Sequence, residues 1–181
     1  MSFERNARRY WTRRGLTYEA SYLDTEPRRL QEEAIVRLLA GLEFHSVLDV
    51  GCGFGRIGVL LGDVAYTGID LSPDMLASAQ AKIPDGRFRR VSLSQFDPGH
   101  QYDLVLAVEV LMHIRPSAVA QAVSQLRALS RRHLVTVDWS KPFAQGQQDS
   151  HNWIHPYREL YGEGLVSEVP VAWQTLYHVR P

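Results

Sequence analysis

Val47-Leu48-Asp49-Val50-Gly51-Cys52-Gly53-Phe54-Gly55-Arg56-Ile57-Gly58 is the stretch that decides the fold. It opens as a short apolar run with β-branched residues, long enough for one buried strand. It breaks at three glycines on alternate positions and resumes with Ile57, Val59, Leu60 and Leu61, which suits a helix. A strand, a glycine-rich turn and a helix put the turn at the carboxyl end of a parallel strand, where open α/β sheets bind ligands. Glycine serves there because the backbone must turn tightly and approach a ligand without a Cβ in the way. Taken alone, the pattern fits a plain strand-to-helix turn equally well.

The second half of the signal follows fifteen residues after Gly55, at Asp70. Ala65-Tyr66-Thr67-Gly68-Ile69 reads as a second strand with Asp70 at its tip. An acid there, about 20 residues past the first glycine, can accept hydrogen bonds from the ribose of a nucleoside. A dinucleotide site asks for Gly-x-Gly-x-x-Gly, but the sixth position from Gly51 is Arg56. Leu48-Asp49-Val50-Gly51-Cys52-Gly53-Phe54-Gly55 instead resembles the first motif of the class I S-adenosylmethionine (SAM)-dependent methyltransferases. Gly68-Ile69-Asp70-Leu71-Ser72-Pro73-Asp74-Met75-Leu76 resembles their second motif. Two motifs at the right separation are far more specific than either one.

The rest of the chain is consistent with that resemblance. With 181 residues, 45% of them hydrophobic, it fits a single domain with a full core, 1–181. The first 44 residues read as a helical segment and lid, and 45–181 as the core. Twenty basic residues balance twenty acidic ones, so no overall field draws the chain to nucleic acid or an anionic membrane. The single cysteine, Cys52, forms no intrachain disulfide and fits a reducing compartment. It reads as a small packing residue rather than a nucleophile. Met1-Ser2-Phe3-Glu4-Arg5 lacks the apolar stretch of a secretion signal, and no run is long enough to span a bilayer. The expectation is a cytoplasmic protein whose oligomeric state is open.

In order, Arg5, Arg8, Arg9, Arg13 and Arg14 interleave with Tyr10, Trp11, Tyr18 and Tyr22. This segment reads as an amphipathic lid, with RNA binding as the lesser alternative. Thr25 is the expected N-cap of a helix that buries Leu30, Ala34, Ile35, Leu38 and Leu39. Beyond residue 45, strands and helices alternate, which argues a parallel sheet covered on both faces. Ser72-Pro73 caps a helix with Met75, Leu76 and Ala79 inward. Phe88 to Leu93 reads as the third strand, Leu104 to Val108 as the fourth and Leu134 to Val137 as the fifth, ending at Asp138-Trp139. Between the last two, Pro116 starts a helix with Val119, Val123, Leu126 and Leu129 on one side. A short helix near Pro156 to Tyr161 precedes two hairpin strands, Leu165 to Val171 and Trp173 to Val179. The order resembles the three-layer, Rossmann-like methyltransferase fold: a mostly parallel seven-stranded sheet with a C-terminal antiparallel hairpin.

The resemblance implies roles for particular residues. Asp49 would orient the motif loop near the methionine amino group, and Gly51, Gly53 and Gly55 would let backbone approach the methionine and ribose. Asp70 would hold the ribose hydroxyls and Leu71 would lie against the adenine, with Val108 at the tip of strand four beside the cofactor. Relatives often carry an acid just after strand three for the adenine amino group. Here Ser92 and Leu93 stand at that place, which is a departure.

The implied reaction is displacement of the sulfonium methyl by a nucleophile held in line, with positioning and exclusion of water as the main contributions. A hydroxyl nucleophile also needs a base. His113 closes Glu109-Val110-Leu111-Met112-His113, and His151 and His155 are the further candidates. Tyr18, Tyr22, Asp138, Trp139, Trp153 and Tyr157 are the expected acceptor wall. The Asp/Asn-Pro-Pro-aromatic stretch of amino-methylating DNA enzymes is absent, and so is the Pro-Cys of cytosine C5 enzymes. Glu109 and His113 match part of the Glu-x-x-Glu-His metal cluster of RNA 2′-O-methyltransferases, but Met112 takes the place of the second glutamate and suits no hard cation. No metal is expected. The expected activity is SAM-dependent methylation of a small molecule, with oxygen favoured over nitrogen as acceptor atom. An RNA or protein methyltransferase using the arginine-rich amino terminus, and a SAM-binding accessory protein without turnover, are the alternatives.

Overall fold

Residues 10–11, 25–141 and 152–181 are described by the computed structural model. Helix α1 (Glu26–Leu39) leads into β1 (Ser46–Val50). Then come β2 (Ala65–Asp70), α2 (Pro73–Lys82), β3 (Arg87–Arg90) and β4 (Tyr102–Val108). They are followed by α3 (Pro116–Leu129), β5 (Ser130–Trp139), α4 (Tyr157–Tyr161), β6 (Leu165–Val171) and β7 (Gln174–Val179). The strands form one seven-stranded sheet in the order β3-β2-β1-β4-β5-β7-β6. The first five are parallel, and β7 inserts antiparallel between β5 and β6. This is the three-layer, Rossmann-like architecture that the resemblance implied, with the parallel sheet that the alternation of elements argued.

Alternation along the strands divides the core between the two sheet faces. Leu48, Val50, Ile69, Val105 and Ala107 point to the face covered by α3, where Val119, Val123, Leu126 and Leu129 bury the stripe read from spacing. Val47, Leu104, Leu106, Val135, Val137 and Leu176 point to the opposite face, where Ile35 and Leu39 of α1 cover them. The reading of α1 needs a correction. Its buried residues are Gln31, Ile35 and Leu39, while Leu30 is 44% exposed. Gln31 is drawn inward by polar partners: its Nε2 donates to Gln174 Oε1 at 2.6 Å, and Arg56 donates to its Oε1.

Other boundaries also move. After the glycines the chain makes only one 3₁₀ turn, Gly58–Leu60, rather than a helix. Strand β3 stops at Arg90, β5 begins as early as Ser130, and Thr25 makes no side-chain cap bond. Ser72 does cap α2, its side chain accepting from the Met75 N–H at 3.4 Å while fully buried. Ser72→Ala is expected to cost about 1 kcal/mol of stability, read from chemical denaturation midpoints. Among the described residues no helix is long and apolar enough to cross a membrane.

At the amino end of the parallel strands, His133 Nδ1 and His178 Nε2 lie 3.1 Å apart. Burial and the neighbouring Arg132 lower the His133 pKa; burial, His133 and Arg180 lower that of His178. A base harder to protonate when folded contributes stability above its unfolded pKa of about 6.5, and that stability is lost as pH falls below it. Asp49, pushed up to about 7 by burial, shifts the opposite way in the same window. The difference between variants therefore isolates the pair. His178→Asn should lose less stability than the parent chain between about pH 7 and pH 5, measured by thermal melts.

Candidate functional site

Strands β1, β2 and β4 end together on one rim, and a cavity of about 360 Å³ opens there. Its floor is the motif loop, whose geometry accounts for the glycines. Gly51 has φ of 68°, and a Cβ on it would lie 2.6 Å from Val110 Cγ2. That close approach lets the loop after β4 rest on the loop after β1. Gly55, with φ of 79°, does something else. A Cβ on it would meet the Ala79 backbone at 3.2 Å, so it seats the loop against α2 and does not line the cavity.

Asp70 stands at the tip of β2 with its carboxyl facing the cavity. Its Oδ2 accepts from the Gly53 N–H at 3.0 Å and its Oδ1 from the Ser72 N–H at 2.8 Å. These bonds tie the two motifs together and fix the carboxyl orientation. A carboxylate offers about four acceptor positions, and with the N–H groups of Gly53, Ser72 and Leu71 on it one is left for a ribose hydroxyl. Burial raises the Asp70 pKa, and the N–H groups of Ser72, Gly53 and Leu71 pull it back. Asp49 is 2% exposed and accepts from the Tyr66 hydroxyl at 2.7 Å. Burial pushes it up to about 7, with that hydroxyl and Arg56 acting against the rise. The Cys52 thiol is also pushed up by burial, which keeps it neutral and fits a packing role.

Of the residues read from sequence, Asp49, Gly51, Gly53, Asp70, Leu71, Ser92, Leu93 and Val108 line this one cavity. Of the two candidate bases among the described residues, His113 lines it and His155 does not. Trp11 also lines it, edge-on to the His113 ring with centroids 5.1 Å apart. His151, Tyr18 and Tyr22 lie outside the described residues.

The remaining candidates are placed elsewhere. His155 is 5% exposed, and its Nε2 donates to the Leu111 carbonyl at 3.0 Å. Tyr157 is packed beside Tyr161 and Tyr177 beneath the sheet edge. Asp138 is fully buried behind the loop after β4, its Oδ1 accepting from the Met112 N–H at 3.0 Å. Trp139 and Trp153 are half-buried and do not line the cavity. Of the expected acceptor wall, Asp138 thus faces the back of the β4 loop and not the cavity, because the segment before α4 packs there.

Residues the motifs did not point to complete the walls. Ala118, Gln121, Ala122 and Gln125 form one face of α3. Their i, i+3, i+4, i+7 spacing was available as a signal. Gln125 Nε2 donates to the Leu93 carbonyl and anchors α3 beside the turn after β3. Glu109 also lines the cavity, in the left-handed region with φ of 59°, and no sequence pattern marks that. It is paired with Arg28 at 2.7 Å and accepts from Gln174. Arg56, on the same side, donates to Glu32 at 2.8 Å and to Gln31. Among the described residues no group of three or more His, Cys, Asp or Glu is placed to hold a metal ion.

The family whose sequence model matches is described as a methyltransferase domain, and the match covers residues 48–152, more than half of the chain. Trans-aconitate 2-methyltransferase from Escherichia coli (strain 55989 / EAEC) is 28% identical over 169 residues, covering 81% of this chain and 67% of that protein. Magnesium protoporphyrin IX methyltransferase (ChlM) from Synechocystis PCC 6803, solved with bound SAM, superposes with a TM-score of 0.80 at 20% identity. That alignment covers 100% of this chain and 98% of the other. The N-methyltransferase NodS from Bradyrhizobium japonicum WM9 gives a TM-score of 0.74 at 20% identity, over 87% of this chain and 97% of the other.

Proposed function

The chain belongs to the methyltransferase-domain family, and from that premise we propose that it methylates an oxygen of a small molecule. It is a class I SAM-dependent methyltransferase. SAM supplies a methyl group on a sulfonium, a good leaving group for a nucleophile held in line.

The residues divide that work between them. Asp70 is the ribose acceptor, with Gly51 and Gly53 leaving room for the methionine. Leu71, Ser92 and Leu93 form the adenine side, with Val108 at the β4 tip. The observation that carries this is the Asp70 carboxyl, oriented into the cavity by the Gly53 and Ser72 N–H groups, with acceptor capacity to spare. Trp11 and Val110 exclude water, and His113 takes the acceptor's proton. The balance of basic and acidic residues, which gives no net field to draw in a nucleic acid, favours a small acceptor over that polymer. The relative named for trans-aconitate supports the same size class.

Incubation with methyl-labelled SAM and a cell metabolite extract is the direct test. The expected result is label in a low-molecular-weight product that releases it on ester or ether cleavage. Label only in RNA or protein would overturn the small-molecule reading. Label nowhere, with SAM binding intact, would point to an accessory protein without turnover.

A further inference from the structure

We infer that Asp138 is a positioning residue: its buried carboxyl fixes the backbone of the β4 loop and thereby sets Val110 and His113 in the cavity. The inference rests on the reading that this cavity holds SAM. Asp138 itself stays out of the cavity.

The loop runs from Glu109 to His113 and starts in a sparsely populated conformation, φ of 59° at Glu109. Such a conformation persists only where the surroundings over-determine it. Three groups do so here. The Met112 N–H donates to Asp138 Oδ1 at 3.0 Å, and the N–H groups of Leu111 and Val110 also act on that carboxyl. Successive N–H groups converging on one carboxyl form a nest. From the other side, the His155 ring donates to the Leu111 carbonyl at 3.0 Å and the Trp153 N–H to the Met112 carbonyl at 2.8 Å. Donors and acceptors of the loop are thus clasped by β5 and by the segment before α4.

The clasp matters because the loop's other side is the site. Val110 Cγ2 occupies the space a Cβ on Gly51 would need, so the two loops are in contact. His113 follows within the same turn, Leu111–His113, and reaches the cavity. A shift of about 1 Å in this loop would change both, enough to cost about a hundredfold in a reaction that depends on alignment.

The feature that does this is the Oδ1 acceptor. Asp138 is 0% exposed, no cation pairs with it among the described residues, and burial together with nearby Glu109 raises its pKa. Its Oδ2 and the Tyr157 hydroxyl are both buried without a hydrogen-bond partner. Asparagine keeps the Oδ1 acceptor and the shape, whereas alanine leaves the loop N–H groups buried and unsatisfied.

Calorimetric titration with S-adenosylhomocysteine on the full chain tests this. Asp138→Asn should bind within about threefold of the parent chain, and Asp138→Ala at least about tenfold more weakly. Leu129→Ala, a core truncation at the far end of α3, supplies the control: it should lower Tm while leaving affinity within about threefold. If Asp138→Asn is as weak as Asp138→Ala, the carboxylate charge is the active feature and the inference is overturned. If Asp138→Ala behaves like Leu129→Ala, Asp138 is only a stability residue, with the same consequence. Should Asp138→Ala not fold, Asp138→Asn decides: retained affinity with slow exchange of the Met112 amide supports the inference, and loss of either overturns it. No binding by the parent chain would sink the reading of the cavity, and the inference with it. Binding by the parent with a failed variant pattern sinks the inference alone.

Discussion

Asp70→Ala is expected to weaken SAM binding by about 1.5–3 kcal/mol, the range for hydrogen bonds to a charged group. That is roughly a 10- to 100-fold rise in Kd. The difficulty is that Asp70 has two jobs. Its oxygens orient toward the cavity and also accept from the Gly53 and Ser72 N–H groups, so truncation loosens the motif loop as well as removing ribose contacts. The ligand can separate the two. An S-adenosylhomocysteine analogue lacking the 2′- and 3′-hydroxyls should bind the parent chain and Asp70→Ala equally well if the ribose contact dominates. If the variant binds that analogue more weakly than the parent chain does, by the same factor as for the natural ligand, Asp70 acts through the loop. If a folded Asp70→Ala binds SAM with unchanged affinity, the ribose assignment is wrong.

Asp70 was legible in the sequence because its position follows from covalent spacing. The residues from Val47 to Gly55 make a strand and a turn, and a second strand of fixed length returns to the same rim. Any acid at that strand's tip must arrive beside the turn, whatever the rest of the fold does. The same logic made Ser72, Met75, Leu76 and Ala79 readable, since helix period and cap are local properties. The parallel pairing was legible for a related reason, as strands joined by helical crossovers run parallel.

The acceptor wall was not legible, because it depends on contacts remote in sequence. Asp138 and His113 were both assigned to the rim from their places after strands five and four. Only the packing of the segment before α4 decides that Asp138 faces the back of the β4 loop while His113 faces the front. His155 and Trp153 were read as polar and aromatic groups free to meet a ligand. The His155 ring instead bonds the Leu111 carbonyl, and the Trp153 backbone N–H the Met112 carbonyl, an accounting requirement for a buried irregular loop that no local pattern announces. The inward turn of Gln31 has the same origin: its partners, Gln174 and Arg56, lie far along the chain in either direction.

Among the described residues that sorting leaves one candidate histidine for proton transfer, His113, and its removal carries the largest expected effect. His113→Ala should lower turnover on the true acceptor by roughly 10²–10⁴-fold while S-adenosylhomocysteine affinity stays within a few-fold. Imidazole suits the task because it is the side chain that most often moves protons in general acid–base catalysis. Whatever part of the pH dependence of kcat comes from this base should vanish in His113→Ala. Trp11, edge-on to the ring at 5.1 Å, keeps the base beneath a hydrophobic cover. His155→Ala is the matched comparison. His155 is buried and bonded to the loop carbonyl, so its loss should lower Tm and leave the pH dependence of kcat unchanged. Turnover within a few-fold of the parent in each of His113→Ala, His151→Ala and His155→Ala would mean that none of these imidazoles takes the proton. The acceptor atom would then be one already unprotonated when bound, a carboxylate oxygen or a neutral amine, and the reaction would rest on the alignment provided by Gly51, Val110 and the loop between them and Asp138.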